Sequence, residues 1–298
     1  MYHKPVLLDQ SIEGLKIDPN GIYVDATFGG GGHSREILSH LNEGKLFAFD
    51  RDPDAESNMI NNRKFKMLTT NYKNMRRFLR LEGVHKVDGV IADLGISSHQ
   101  INIPSRGFSF RFDAALDMRM DQTSKVNAKE VLNVYSEKEL SRVFYNYGEI
   151  KNAHKLSSEI VKSRGEKDLS TTFDLLKVVE GFVPKSKKNQ FFSKVFQSIR
   201  IEVNNEIESL RIMLEDTINL LNSGGRLVVI SYHSLEDRMV KNLFKKGDIN
   251  GEVMKDVFGN ITNKKFKQIH KKVIVPDNIE QHENNRSRSA KLRIGERI

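Results

Sequence analysis

The chain has 298 residues and no cysteine, so disulfides, thiolate metal sites, iron–sulfur clusters and a cysteine nucleophile are excluded. Its 38% hydrophobic and 29% charged content is that of a globular chain, long enough for one large domain or two smaller ones. Lys and Arg number 48 against 39 acidic residues, a net of +9 that is unevenly spread: +5 over residues 103–199, +8 over 238–298 and −4 over the rest. A basic region attracts phosphate, and it also serves as a solubilising surface; charge alone leaves both readings open. Near the N-terminus only Val6-Leu7-Leu8 is continuously apolar, and the longest aliphatic run elsewhere is Leu227–Ile230. Neither suits a signal core or a membrane span, so the expectation is a cytoplasmic protein without membrane contact.

In chain order, 21–27 reads as a strand, followed by a glycine cluster and a helical stretch from Ser34 to Leu41. Strands follow at 45–50, 65–68 and 87–92, with helices expected over 52–61 and 72–81 between them. Alternation of this kind makes a parallel sheet with helices on both faces. From 103 to 198 the pattern turns helical. Ser136 and Glu139 form a capping box ahead of Leu140, Val143, Phe144 and Tyr147, and Ser170-Thr171 precede Phe173, Leu176 and Val179. The α/β pattern then resumes: a helix carrying Ile207, Leu210, Leu214, Ile218 and Leu221, a strand over 226–231 and a helix over 234–244. A polar loop follows at 247–265, then 269–275 and 290–294 as two pairing strands. The expected organisation is an α/β core over 1–102 and 200–298, interrupted by a helical insertion over 103–199.

Five motifs carry chemistry. Asp25-Ala-Thr-Phe-Gly-Gly-Gly-Gly-His-Ser34 joins a strand end to a helix start through glycines that admit a ligand close to the backbone. Its spacing departs from the dinucleotide pattern, because the sixth position counted from Gly29 is Ser34. An acidic strand end followed by clustered glycines is more typical of class I methyltransferases, whose donor carries no phosphate. Asp50 closes the second strand, about 20 residues past the glycines, where an acidic residue bonds ribose hydroxyls. Asp93 closes the fourth strand, at the sheet edge where open α/β folds bind ligands; an Asx-turn is the bland alternative. In Arg106-Gly-Phe-Ser-Phe-Arg-Phe112 arginine interleaves with Phe108 and Phe110, a pattern that suits phosphate pairing and base stacking. The same alternation fits a half-buried strand or core contact. Arg286 and Arg288 in the tail make either a phosphate-binding strip or one face of an exposed segment.

Together these segments resemble the RsmH (MraW) family, bacterial enzymes that methylate N4 of a cytidine in the decoding region of 16S ribosomal RNA. The matching stretches are 3–7, 25–35, 49–53, 93–98, 106–110, 116–121, 196–204, 224–237 and 286–293. Phe-Gln-Ser-Ile-Arg-Ile (196–201), Ser-Tyr-His-Ser-Leu-Glu-Asp-Arg (231–238) and Arg-Ser-Arg-Ser-Ala-Lys-Leu-Arg (286–293) look like family signatures. The family usually has proline where His99 stands, Gly-Pro at Ala114-Ala115, and a larger residue at Gly30.

The resemblance implies a class I (Rossmann-like) S-adenosylmethionine methyltransferase with a mostly parallel sheet, interrupted by an all-helical substrate-recognition domain. It implies cofactor contacts at Gly31, Gly32, His33, Asp50, Tyr72, Asp93 and Gln100, with Tyr72 against the adenine. Asp93 is the candidate catalytic residue, as base, orienter or cofactor ligand. Candidate substrate contacts are Arg106, Phe108, Phe110, His233, Arg286 and Arg288. The implied partner is 16S ribosomal RNA within the small subunit, with a homodimer left open and no metal required. Two other readings make contrary demands. A nicotinamide-dependent dehydrogenase demands the regular glycine spacing, and a non-catalytic RNA-binding relic demands a degraded cofactor loop.

Overall fold

The computed structural model describes residues 5–298, so His3 and Lys4 of the first matching stretch lie outside the described residues. Two compact units are present, one formed by the chain up to Gly95 together with Ile207–Ile298, the other by Ile96–Glu206.

The first unit begins with α1 (Leu8–Leu15), β1 (Ile22–Asp25), α2 (Gly32–Ser39), β2 (Lys45–Asp50), β3 (Phe65–Thr69), α3 (Met75–Leu81) and β4 (Val87–Asp93). The second unit holds α4 (Ser98–Asn102), α5 (Ala128–Val134), α6 (Glu137–Gly148), α7 (Ala153–Glu166), α8 (Thr172–Val179) and α9 (Lys188–Asn204). The chain then runs through α10 (Glu206–Leu220), β5 (Leu221–Ser231), α11 (Ser234–Lys246), β6 (Phe266–Gln268), α12 (Asn278–Glu283) and β7 (Lys291–Arg297). No helix among the described residues is long and apolar enough to cross a membrane.

The sheet has the order β3-β2-β1-β4-β5-β7-β6. Strands β1 to β5 run parallel, and β7 lies antiparallel to both β5 and β6. This is the class I, Rossmann-like methyltransferase arrangement, with a reversed strand inserted beside the edge. Successive residues point to opposite faces of a strand, and the sheet has a core on each. Val90, Ala92, Leu227 and Val229 pack with Met75, Leu79, Leu210, Leu214 and Phe244. Ile91, Val228 and Ile230 pack with Leu15, Ile37 and Leu38 on the other side. The order reverses between β1 and β4, the place where an open α/β sheet leaves a crevice at its carboxyl edge.

Several elements differ from the sequence expectation. The helix expected over 52–61 is a two-turn 3₁₀ helix, Pro53–Asn58, capped by the Asp52 carboxylate, which accepts from Asp54 N at 3.1 Å. Ala55 is its one buried residue, so no apolar face sustains an α-helix there. Tyr72 likewise sits on a 3₁₀ turn, Tyr72–Asn74, ahead of α3. Strand β5 starts at Leu221, which pairs with Val87; pairing resumes at Gly89 and Arg226, and Asn222 donates to Asp88 Oδ1 at 2.7 Å across the irregularity. The penultimate strand is Phe266–Gln268 rather than 269–275, because Phe266 is the residue that buries, against Phe244 with ring centroids 5.4 Å apart. Ile274 keeps a single bridge to Leu292.

The second unit has no named strand among its described residues. Capping boxes start α4 (Ser97 with Gln100), α6 (Ser136 with Glu139) and α8 (Thr171 with Asp174). Its core centres on Leu132, Leu140, Phe144, Leu156, Ile160, Leu175, Val195 and Ile199. The alternating Phe108, Phe110 and Phe112 do not form a strand.

Candidate active site

Strands β1, β2 and β4 each end on an aspartate at the crevice edge, and a hydrogen-bond chain ties two of these ends together. Thr27 N donates to Asp25 Oδ1 at 3.0 Å, while Thr27 Oγ1 accepts from Asp93 N at 2.7 Å. Ser34 Oγ, in the first turn of α2, donates to Asp25 Oδ2 at 2.7 Å. Burial pushes the Asp25 carboxyl up to about 6 against the lowering effect of these two donors. Asp25 thus braces the strand end and the helix start.

The glycine loop spans that gap. Gly29 and Gly31 take φ of +49° and +73°, a region that penalises any side chain. A Cβ on Gly31 would stand 2.9 Å from the Phe28 ring, and one on Gly32 would overlap the Pro5 ring. Asp50 ties the loop to β2: its Oδ2 accepts from Gly29 N at 2.8 Å and its Oδ1 from Asp52 N at 2.9 Å. Burial raises its pKa, opposed by these backbone donors. Each oxygen keeps a free lone-pair direction, the capacity a ribose diol would use. His33 is 6% exposed, and its Nε2 donates to Val6 O at 3.3 Å. Burial lowers its pKa to about 4, so the imidazole is neutral. Tyr72 lies half-buried after β3, packed on the core beneath the sheet.

Asp93 has the most perturbed carboxyl of the three. Burial raises it to about 7, with Asp25, Glu236 and Glu280 adding repulsion and one hydrogen bond opposing. That bond comes from Tyr232, whose hydroxyl donates to Asp93 Oδ1 at 2.8 Å. Tyr232 itself is pushed well above its ordinary range, first by burial and then by the carboxylate it faces. Its backbone N donates to Glu236 Oε2 at 2.9 Å. His233 stands next in the chain, ahead of α11, with Nε2 3.2 Å from Glu236 Oε1 and its ring 7% exposed.

Sequence reasoning named Asp93, Asp50 and the glycine loop with its acidic strand end Asp25, but gave no role to Thr27, Ser34, Tyr232 or Glu236 as working parts. Tyr232 follows the carboxyl end of β5, and only the sheet order, which sets β5 beside β4, brings it to Asp93.

The remaining sequence candidates are on other elements. Gln100 is on α4 in the second unit, buried, with Oε1 accepting from Ser97 N at 3.0 Å as part of its own helix cap. Arg106 is 6% exposed and donates to the carbonyls of Arg119 and Met120 at 2.9 and 3.1 Å, with Phe108 5.8 Å beneath the guanidinium. Phe108 is buried, and Phe110 packs edge-on against Phe192 and Phe196 at 5.9 and 5.5 Å. In the structure Arg106 and Phe108 are buried and make core contacts, while Phe110 stays half-buried. The tail is a 3₁₀ turn over Asn285–Ser289, not an extended segment, so Arg286 and Arg288 do not share a face; Arg286 is half-buried and Arg288 exposed.

The signature segments also interlock. Arg293 grips Asp237 through Nε and Nη2 at 2.7 and 3.2 Å, joining 286–293 to 231–238. Within the second unit Arg200 forks onto Glu206 at 2.9 and 3.0 Å, and Asn204 bridges the backbone of Met118 and Met120 at 2.7 and 2.8 Å.

A family model described as the MraW methylase family matches residues 1–298. The chain is 52% identical to the ribosomal RNA small subunit methyltransferase H of Cytophaga hutchinsonii, with all of both chains covered. It is 51% identical to the protein of the same name from Flavobacterium johnsoniae, over 100% of this chain and 98% of that one. Among solved structures, an rRNA methylase from Streptococcus thermophilus is similar at 12% identity and a TM-score of 0.43, covering 100% of this chain and 99% of that one. A likeness that distant adds nothing to the fold read from the strand order.

Proposed function

The chain belongs to the MraW methylase family, and from that premise we propose that it methylates the exocyclic N4 of a cytidine in the decoding region of 16S ribosomal RNA, with S-adenosylmethionine as donor. The observation that carries the proposal is Asp93: a carboxyl at the switch point of a methyltransferase sheet, held by Tyr232, with a pKa near neutrality.

The site's groups fit the donor. In the loop Gly29–Gly32, Gly29 and Gly31 hold positive φ and side chains on Gly31 and Gly32 would collide with Phe28 and Pro5, so the backbone stays bare between the ends of β1 and α2; Asp50 offers acceptors to a diol, and Tyr72 offers a ring after β3. His33, neutral and buried, fixes the start of α2 against Val6. Gln100 belongs to the same proposal by family position. Bound there, S-adenosylmethionine supplies a methyl group made electrophilic by its sulfonium.

The chain's own task concerns the amine. A cytosine N4 lone pair is delocalised into the ring and is a poor nucleophile. The Asp93 carboxylate accepts a hydrogen bond from that amine, turns the lone pair out of conjugation and takes the proton that nitrogen loses. Tyr232 holds Oδ1, which leaves Oδ2 for the substrate. A carboxyl near 7 is matched to this duty, since it is substantially ionised at neutral pH yet basic enough to accept a proton. The names of the relatives and the basic C-terminal segment support ribosomal RNA as the substrate, within the small subunit and so in the cytoplasm. The target base must be unpaired or turned out of its stack.

The test is transfer of tritium from labelled S-adenosylmethionine to small subunits lacking the modification, comparing wild type with Asp93→Ala and digesting the product to nucleosides. Label in N4-methylcytidine, lost in the variant, is the expected result. Label in another nucleoside, or none in subunits or free 16S RNA while the cofactor still binds, overturns the substrate assignment.

A further inference from the structure

The most exposed large apolar side chains among the described residues are neighbours. Val257 is 94% and Phe258 86% exposed, with Met254 at 65% close by in the chain. They sit at the tip of a hairpin within the polar segment 247–265. Single exposed apolar residues are ordinary, whereas an adjacent pair with almost all of its surface in water calls for a reason.

The tip is built. Asp256 organises it, its Oδ1 accepting from Phe258 N at 2.9 Å and Asn260 N at 2.8 Å, its Oδ2 from Asn260 Nδ2 at 3.0 Å. Backbone bonds close the turn from Gly259 N to Asp256 O and from Asp256 N to Asn260 O, both 3.0 Å. Gly259 supplies the positive φ of +84°. Lys255 bridges Ile261, and Thr262 N donates to Met254 O at 2.9 Å. At the base, Gly247 packs so closely on Asn263 that a Cβ would overlap its carbonyl. Local hydrogen bonds thus hold the ring outward without any burial of the ring itself.

The surroundings select the partner. Residues 245–272 carry eight lysines and three acidic residues. Lys255, Lys264, Lys265 and Lys267 are exposed, and none forms an ion pair among the described residues. A second copy of this hairpin would bring like charges together, whereas a polyanion would neutralise them. An aromatic ring among unpaired cations is the pairing that binds single-stranded nucleic acid, rings stacking on bases and lysines meeting phosphates.

We infer that the 254–262 hairpin is a second RNA-binding element, in which Phe258 stacks on an unpaired base of the RNA substrate while the flanking lysines hold its backbone. This rests on the reading of the protein as an RNA methyltransferase. The contact is separate from the reacting base and adds affinity and placement to the catalytic centre.

The chain has no tryptophan, so Phe258→Trp in the full protein places a sole tryptophan at the tip, excited selectively at the red edge where tyrosine does not absorb. Titration with a single-stranded RNA oligonucleotide and with 16S RNA should quench it. Phe258→Ala should weaken RNA binding about tenfold, with wild-type melting temperature and S-adenosylmethionine affinity, and Phe258→Tyr should restore it. Lys255→Gln should lower the salt slope of binding by about 0.7. Wild-type RNA affinity in Phe258→Ala, with methyl transfer intact, overturns the hairpin and leaves the methyltransferase reading standing. Emission that follows protein concentration, with sedimentation as a dimer, assigns the tip to a second copy and also overturns it. A wild-type enzyme that neither binds nor methylates RNA overturns both.

Discussion

The hydroxyl of Tyr232 donates a 2.8 Å hydrogen bond to Oδ1 of Asp93, joining the ends of two adjacent strands. The bond opposes the burial that raises the carboxyl to about 7. Removing the donor in Tyr232→Phe therefore raises the Asp93 pKa further. Because the carboxylate is the working form, wild-type kcat/KM should climb with pH through about 7, and the variant should climb later. With a rise of about one unit of pKa, the variant should lose roughly fivefold at pH 7 and approach tenfold below pH 6, and the two should converge near pH 9. A pH–rate profile of both enzymes checks this; superimposed profiles would refute the coupling.

His33 sets a different pH dependence, on stability. An ordinary imidazole protonates at about 6.5, whereas burial holds this one at about 4. Its contribution is fully present above pH 6.5 and is lost as pH falls from there toward 4. The loss amounts to about 3 kcal/mol. His33→Gln keeps a donor for Val6 O and does not titrate, so the variant should overtake wild type in stability below pH 5. Asp25 and Asp93, raised by burial, gain stability over the same range, but they do so in both proteins and cancel from the difference. Urea denaturation of the pair at pH 8 and pH 4.5 measures it.

The sheet was legible because its strands are short apolar runs that each end on a polar residue. Asp50 and Asp93 were found by that ending alone, and β2 and β4 lie where the runs do. What stayed hidden depends on contacts distant in sequence. Nothing local marks Tyr232 as the partner of Asp93, 139 residues away. Phe266 was passed over because a lone phenylalanine among lysines looks like loop until Phe244 is placed beside it. The Arg106 motif was ambiguous in a different way. Arginine between phenylalanines has one appearance on a surface and in a core, and burial alone decides between them.

Asp237 and Arg293 predict a stability effect. The pair joins α11 to β7, with side chains 13% and 9% exposed, and Lys291 Nζ lies 3.8 Å away. Arg293→Ala leaves a nearly buried carboxylate with only that lysine, at a cost of about 3–5 kcal/mol. The double change Asp237→Leu/Arg293→Met removes both charges and should recover most of the loss. Thermal melts of wild type, Arg293→Ala and the double variant make the comparison. A single variant within 1 kcal/mol of wild type, on the scale of an exposed pair, would show that the ion pair is not what holds α11.

Arg106 separates a structural role from RNA contact. Its guanidinium satisfies the carbonyls of Arg119 and Met120 and covers the Phe108 ring, all within the helical unit. Arg106→Met fills the space but leaves both acceptors without that donor, which costs about 3 kcal/mol. A residue that contacts RNA phosphate would behave otherwise, weakening binding and reducing its salt slope without lowering the melting temperature. The expected result for Arg106→Met is a lower melting temperature with wild-type RNA affinity and salt slope measured well below it. A normal melt with a reduced salt slope would return Arg106 to the RNA surface and require the loop over 104–120 to open in the complex.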